Sequence, residues 1–447
     1  MQRRSISDDT REARRGGRKE LSWALNPATI YVLVCAASLS AAAIASQSAW
    51  FDTTDQIAPP QAYLTILGYL LVASVLGWLA AYSWPRTTRY IAPVESDLGR
   101  QLVYSRLAVA TRLCGILVVA AYGLWVLLAV YRGMTPGVAV SVLEGDPAAL
   151  RTSRWALTPL SGVTSLVALG VPVAAVYASG VVRMRSPDWA VLAVIGLGSL
   201  MRMFLNAERL ALIEVLIPAA YVFATAGKVW GPLRRCGAVI VGGSVAVLTI
   251  FAVGEYRRPN YIIGAQSQNF LGYLSDRIGG YYLSAVSNGY YYQSLINKPP
   301  APSYSADAFW KFPGVSSLVT PETIYGRDSR SEFLTMLRSQ LNPELNTIST
   351  PGVLVAELGL WLALIVTFIT TFAIALACCQ VRTANIVAVV ACGILIVAAL
   401  ESARYPYLVQ SRCLIALVGC WAIHKWTHFP PAGTVGSRSI PSMSQAR

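Results

Sequence analysis

Apolar runs of about 20 residues recur along the whole chain, and they restrict its fold more than any other feature. Twenty residues is about what a helix needs to cross the hydrocarbon core of a bilayer. A helix also satisfies its own backbone hydrogen bonds there. The alternating ten-residue strands of a membrane β-barrel are not part of the pattern. The chain therefore reads as an all-α integral membrane protein. Composition agrees: 55% of residues are hydrophobic and 13% charged, against about 25% charged in soluble domains. Ten spans are expected, at 27–46, 62–84, 107–131, 158–181, 188–206, 208–226, 236–254, 352–378, 384–402 and 407–426. The first run lacks a convincing small-residue cleavage site and is read as a retained span rather than a signal peptide.

Orientation follows from Lys and Arg in the short loops. The N-terminal tail carries Arg3, Arg4, Arg11, Arg14, Arg15, Arg18 and Lys19. Later connections on the same side carry Arg86, Arg89, Arg100 and Arg106, then Arg183 and Arg185, then Lys228, Arg234 and Arg235. That side is expected to be the cytoplasm, with both termini inside. The net charge of +14 then marks topology, and no nucleic-acid partner is expected. The chain divides into a basic tail (1–26), seven spans (27–254), an outer loop (255–350), three spans (351–426) and a C-terminal tail (427–447).

The outer loop, about 96 residues long, has no cysteine and is rich in Tyr, Ser, Pro and Asn. Its stretch GGYYLSAVSNGYYYQSL (Gly279 to Leu295) reads as amphipathic and suited to the membrane interface. The stretch SEFLTMLRSQL places Phe333, Leu334, Leu337 and Leu341 on one helical face. The loop is thus expected to be partly helical and to fold back on the bundle. No internal repeat is visible, which weighs against a transporter built from two homologous halves. The 8 cysteines show no metal or disulfide spacing, and the 2 histidines, His424 and His428, lie near the C-terminus. No metal and no cofactor is expected.

The unusual feature is charge at the outer ends of spans. The turn MRMFLNAERLALIE brings Arg202, Glu208, Arg209 and Glu214 between two apolar runs. The seventh span leaves as GEYRRPNY, with Glu255, Arg257 and Arg258, and LESARYPYLVQSR adds Glu401, Arg404, Gln410 and Arg412. On one continuous helix Arg412 would lie about 12 Å beyond Arg404, inside the bundle. Arginines at membrane depth are costly and are kept for function or for pairing. Their planar fork suits phosphate, so one reading is an outer site for a phosphorylated or pyrophosphorylated lipid. The other reading is structural. It pairs Arg202, Arg209 and Arg412 with Glu208, Glu214 or Glu401, and lets Arg257 and Arg258 snorkel to headgroups. Glu255 and Glu208 are candidate general bases. Glu214 and Glu357, inside spans, are expected as buried partners of arginine. The tyrosines at 281–282 and 290–292 are expected to be interfacial anchors.

Taken together, the ten spans, the large outer loop in the second half and the strings RMFLNAERLALIEVLIP, GEYRR and LNTISTPGVLVAELGL (Leu345 to Leu360) resemble the O-antigen polymerase (Wzy-type) family of oligosaccharide repeat-unit polymerases. The resemblance covers about residues 30 to 425. It implies a glycosyltransferase C-like helical fold in a bacterial plasma (inner) membrane. The implied substrate is a polyprenyl-pyrophosphate-linked oligosaccharide at the outer leaflet, and the implied chemistry needs no metal. The chain departs from related ligases in placing both histidines at the cytoplasmic end. It also departs from two-loop polymerases in its short outer loop at 132–157. On this reading Glu255, Glu208 and Arg209 are the catalytic candidates. Arg202, Arg257, Arg258, Arg404, Arg412 and Asn346 are candidates for binding pyrophosphate or glycan. A chain-length regulator and a flippase are the implied protein partners. A glycan ligase, a polyprenyl-phosphate-sugar glycosyltransferase, or a transporter of the same lipid-linked glycan would use many of these features.

Overall fold

The computed structural model describes residues 26–48, 50–53, 56–84, 97–160, 162, 164–206, 208, 210–226, 237–238, 242–243, 270–295, 301–312, 315–341, 346–379, 381 and 385–428. Every regular element among them is helical. The main helices are α1 (Pro27–Ala45), α2 (Gln61–Ser83), α3 (Asp97–Tyr131), α4 (Pro136–Glu144), α5 (Pro147–Ala156), α6 (Gly170–Ala178), α7 (Ser186–Leu205), α8 (Leu210–Ala226), α9 (Phe270–Leu295), α10 (Ser329–Gln340), α11 (Thr350–Cys379), α12 (Ile386–Glu401) and α13 (Ser411–His428).

Five of these have the length and apolarity to cross a membrane: α1, α2, α3 from Gln101, α7 and α11. Three shorter apolar segments, Thr164–Ala178, α8 and α12, accompany them. The long helices expose Leu, Ile, Val and Trp along their flanks, for example Leu113, Ile116 and Leu127 on α3 and Trp361, Ile365 and Ile369 on α11. A soluble surface rarely carries so broad an apolar face, whereas lipid solvates it. By contrast α12 is apolar all round and sits inside, with Val389, Val390, Ile394 and Val397 in the main core, as such a helix must. It packs against α8, α1, α13 and α6.

Local sequence explains the helix starts. Asn26 accepts from the Ala28 N–H ahead of Pro27, and Asp328 accepts from the Arg330 N–H at the start of α10. Each supplies an acceptor to an otherwise orphaned donor. Two spans differ from their expected form. Residues 158–181 give a 3₁₀ segment (Thr164–Leu169) followed by α6, since Pro172 cannot donate back across the junction. The tenth span does not begin at 407: Tyr407–Val409 is a 3₁₀ turn, Gln410 is extended, and α13 starts at Ser411. Arg404 and Arg412 are therefore not on one helix, and Arg412 lies in the first turn of α13 instead of deep within it.

The residues of the expected outer loop do fold back on the bundle. Helix α9 packs on α11, and the contact point is glycine against glycine: a Cβ on Gly352 would meet the Gly289 Cα at 2.9 Å. Tyr291, Tyr292 and Tyr304 are buried with Phe333 and Leu337, so the face expected for α10 is the buried one. Tyr291 and Tyr292 are core residues and not interfacial anchors, because α10 and the start of α11 cover them. Helix α11 breaks at Gly359, whose φ of 74° is a left-handed conformation open to glycine. The seventh expected span, apart from 237–238 and 242–243, lies outside the described residues, as do residues 1–25 and 429–447.

Candidate functional site

Where α7 ends, four charged groups from three helices and one connection meet. Arg202 is in the last turn of α7, where the helix dipole favours a cation. The chain turns back, with the Glu208 N–H donating to the Arg202 carbonyl at 3.1 Å. That turn lets the Arg202 guanidinium grip both oxygens of Glu208, Nε to Oε2 at 3.0 Å and Nη2 to Oε1 at 2.9 Å. This is the paired, charge-assisted geometry that arginine makes with carboxylates. Glu214, one turn into α8, receives Arg412 Nη1 at 2.9 Å and lies 3.9 Å from Arg202 Nη2. Arg412 Nη1 also pairs with Glu208 Oε1, so it bridges the two carboxylates. Burial alone would raise the Glu208 pKa; the adjacent Arg412 and Arg202 outweigh it and hold the group below the usual carboxylate range. Glu208 is thus ionised, fully engaged and a weak proton acceptor.

Two further clusters lie at the same end. Arg404 contacts Glu401 at 3.3 Å and lies 5.6 Å from the centre of the Tyr281 ring. Asp307 takes Lys311 at 2.6 Å and Arg330 at 2.7 Å, and the Arg330 guanidinium lies 5.2 Å from the Tyr304 ring centre. The clusters are linked. The short helix Asp307–Trp310 packs on α13. Lys311 has its pKa lowered, first by burial and then, against the pull of Asp307, by the charges of Arg330 and Arg412. Tyr405, next to Arg404 in the chain, feels both Arg330 and Arg412.

Side-chain exposure within these pairs is lopsided. Glu214 is 4% exposed and its partner Arg412 is 30% exposed. Glu401 is 7% exposed and Arg404 23%. Asp307 is 4% exposed, while Arg330 and Lys311 are 33% and 49%. Only the Arg202–Glu208 pair is reversed, at 10% and 21%. Carboxylates sit behind and cations face out, a layout that holds Arg and Lys in place and leaves donors turned toward an incoming anion. Beside them Gln410 is buried, and its Oε1 has no hydrogen-bond partner among the described residues.

The structure thus brings Arg202, Glu208, Glu214 and Arg412 together and places Arg404 nearby. Asn346 is exposed where the chain returns to α11. Arg209, Glu255, Arg257 and Arg258 lie outside the described residues. Glu357 is not an arginine partner: it accepts the Tyr292 hydroxyl and the backbone N–H groups of Tyr304 and Ser305, each at 2.9 Å. The sequence reading missed Asp307, Lys311 and Arg330. The i,i+4 spacing of Asp307 and Lys311 in DAFWK was a signal for part of that cluster.

The chain matches no family model, no curated protein and no solved structure. Function therefore rests on the residues themselves. At the opposite end of α7, Arg112 is held by Asp188 through three contacts of 2.9 to 3.3 Å, and the Tyr177 hydroxyl donates to the same carboxylate at 2.9 Å. This pair shares the lopsided exposure, 25% for Arg112 and 2% for Asp188, but stands alone instead of in a cluster with other cations.

Proposed function

We propose that the chain polymerises polyprenyl-pyrophosphate-linked oligosaccharide units at the outer face of a bacterial plasma membrane, by glycosyl transfer without a metal. The observation that carries this reading is the layout of Arg412, Arg404, Arg330 and Lys311, which face outward over buried carboxylates at one end of the bundle. The positive-inside bias of the short loops puts that end outside.

In the reaction, a hydroxyl of one lipid-linked unit attacks the anomeric carbon of another. The bond from that carbon to the pyrophosphate oxygen breaks, and the polyprenyl pyrophosphate leaves with the electron pair. Negative charge grows on the departing oxygen. Fixed guanidinium groups stabilise it most where it is largest, in the transition state. Arg412 and Arg404 are assigned that role, with Arg209, Arg257 and Arg258 as further candidates from the sequence. Arg202, gripping Glu208, positions Arg412 through the shared carboxylate. Glu208 is a poor base in this setting, so Glu255 is the carboxylate assigned to take the hydroxyl proton. Asn346 is suited to hydrogen-bond sugar hydroxyls. A flippase would deliver the substrate and a chain-length regulator would set the product size.

The test is a strain deleted for the gene, with surface glycan resolved by size and membrane levels of each variant matched. Wild type should restore a ladder where the deletion leaves single units, and Arg404→Ala should not. A full ladder in the deletion strain overturns the reading.

A further inference from the structure

A cavity of about 280 Å³ runs between α1, α11 and α12, roofed by the strap from Pro406 to Val409. Its wall on α11 runs from Thr350 to Ile374 across the break at Gly359; the unbroken part, from Leu360 to Ile374, alone covers roughly 20 Å at 1.5 Å per residue, most of the hydrocarbon thickness of a bilayer. So little volume over such a length makes a narrow slot. At the ~10–15 Å³ that one water needs by this measure of volume, the total holds roughly twenty waters or a stretch of hydrocarbon chain.

The lining changes along the slot. Val353, Leu354, Leu358, Leu395 and Ala398 make the middle aliphatic. At the loop end the wall is Ser305, Thr350, Ser402 and Pro406. Ser305 follows Tyr304, which lies against Arg330, and Ser402 and Pro406 are each two residues from Arg404. The loop end of the slot is therefore walled by segments that carry outward-facing cations. An apolar slot at membrane depth with a cationic mouth is complementary to an amphiphile with one hydrocarbon chain and a phosphate head.

We propose that this slot binds the hydrocarbon chain of a polyprenyl phosphate or pyrophosphate lipid, with the phosphate at Arg404 and Arg330. The choice of a polyprenyl lipid rests on the proposed function; the single chain and the anionic head rest on the cavity and its mouth.

The test uses the full-length protein in lipid nanodiscs and a polyprenyl phosphate carrying a photoreactive group on its chain. Labelled peptides are mapped by mass spectrometry. Labelling is expected at Leu354, Leu358, Leu395 and Ala398. Excess unlabelled polyprenyl phosphate should remove it, and phosphatidylglycerol should not. Ala398→Trp and the milder Leu395→Phe should each lower slot labelling at least fivefold. Labelling confined to the exposed face of α11, at Trp361, Ile365 and Ile369, overturns the proposal even if neither variant folds. So does equal competition by phosphatidylglycerol, which would make the slot a general acyl-chain site. Polymer synthesis is read separately. Slot labelling by a protein that makes no polymer sinks the proposed function and leaves the slot standing; polymer made without slot labelling does the reverse.

Discussion

Arg412 Nη1 lies 2.9 Å from Glu214 Oε1, and this contact ties α13 to α8 across 198 residues of sequence. The same guanidinium group holds Glu208, which in turn holds Arg202. Three helix ends are thus joined through two arginines and two glutamates, with like charges kept apart by unlike ones.

Removing Arg412 leaves Glu214 buried without its closest cation. Breaking a buried pair by deleting one partner costs about 3 kcal/mol or more. Arg412→Ala should lower the Tm of the detergent-solubilised protein clearly, and Arg412→Lys by less. Adding Glu214→Gln to Arg412→Ala should recover part of the loss, because the unpaired charge goes with it. Thermal unfolding of the four proteins gives the comparison.

Glu208 makes stability depend on pH. Its folded-state pKa is depressed, so its contribution is present above the ordinary carboxylate value of about 4.3 and is lost as pH falls through the folded value. The Tm gap between wild type and Glu208→Gln should be steady from pH 7 to about pH 5 and shrink below the ordinary carboxylate value. A gap that widens on acidification would reverse the sign argued for this group.

Glu357 holds α9, through Tyr292, and the segment between α9 and α10, through Tyr304 and Ser305, to α11. Hydrogen bonds to a charged acceptor contribute about 1.5–3 kcal/mol. Glu357→Ala should raise amide hydrogen exchange at Tyr304 and Ser305 by about tenfold or more. Exchange at core amides of α12 should stay unchanged.

Lys311 is half-exposed, and Asp307 keeps Arg330 when Lys311 is absent. Lys311→Ala should therefore spare the fold. On the proposed function it should slow polymer formation about a hundredfold or more, the range for losing one electrostatic contact in the transition state. Initial rates at matched protein levels, beside a Tm within a degree or two of wild type, check both halves.

The apolar runs made the all-helical, membrane-suited character of the chain legible, and five helices have the length and apolarity to cross a bilayer, because length and hydropathy report directly on what the bilayer demands. Meeting of Arg202, Glu208, Glu214 and Arg412 was legible as well, since few partners exist for charges at membrane depth. The form of the last span was not. Pro406 and the extended Gln410 interrupt it, and an apolar count does not see a 3₁₀ turn. Tyr291 and Tyr292 read as anchors because an aromatic helix looks alike whether lipid or protein covers it. The cover, Phe333 on α10, is about 40 residues away. The acceptor role of Glu357 was hidden because two of its three donors are backbone N–H groups, which sequence does not distinguish. The Asp307–Arg330 pair depends on how the loop folds, 23 residues apart.

Glycosyl transfer between lipid-linked units can be followed with the purified protein in liposomes, supplied with a polyprenyl-pyrophosphate-linked oligosaccharide and a metal chelator. Products should lengthen by whole repeat units, with one polyprenyl pyrophosphate released for each bond formed. Substrate that moves between leaflets but keeps its single-unit length would rule out polymerisation.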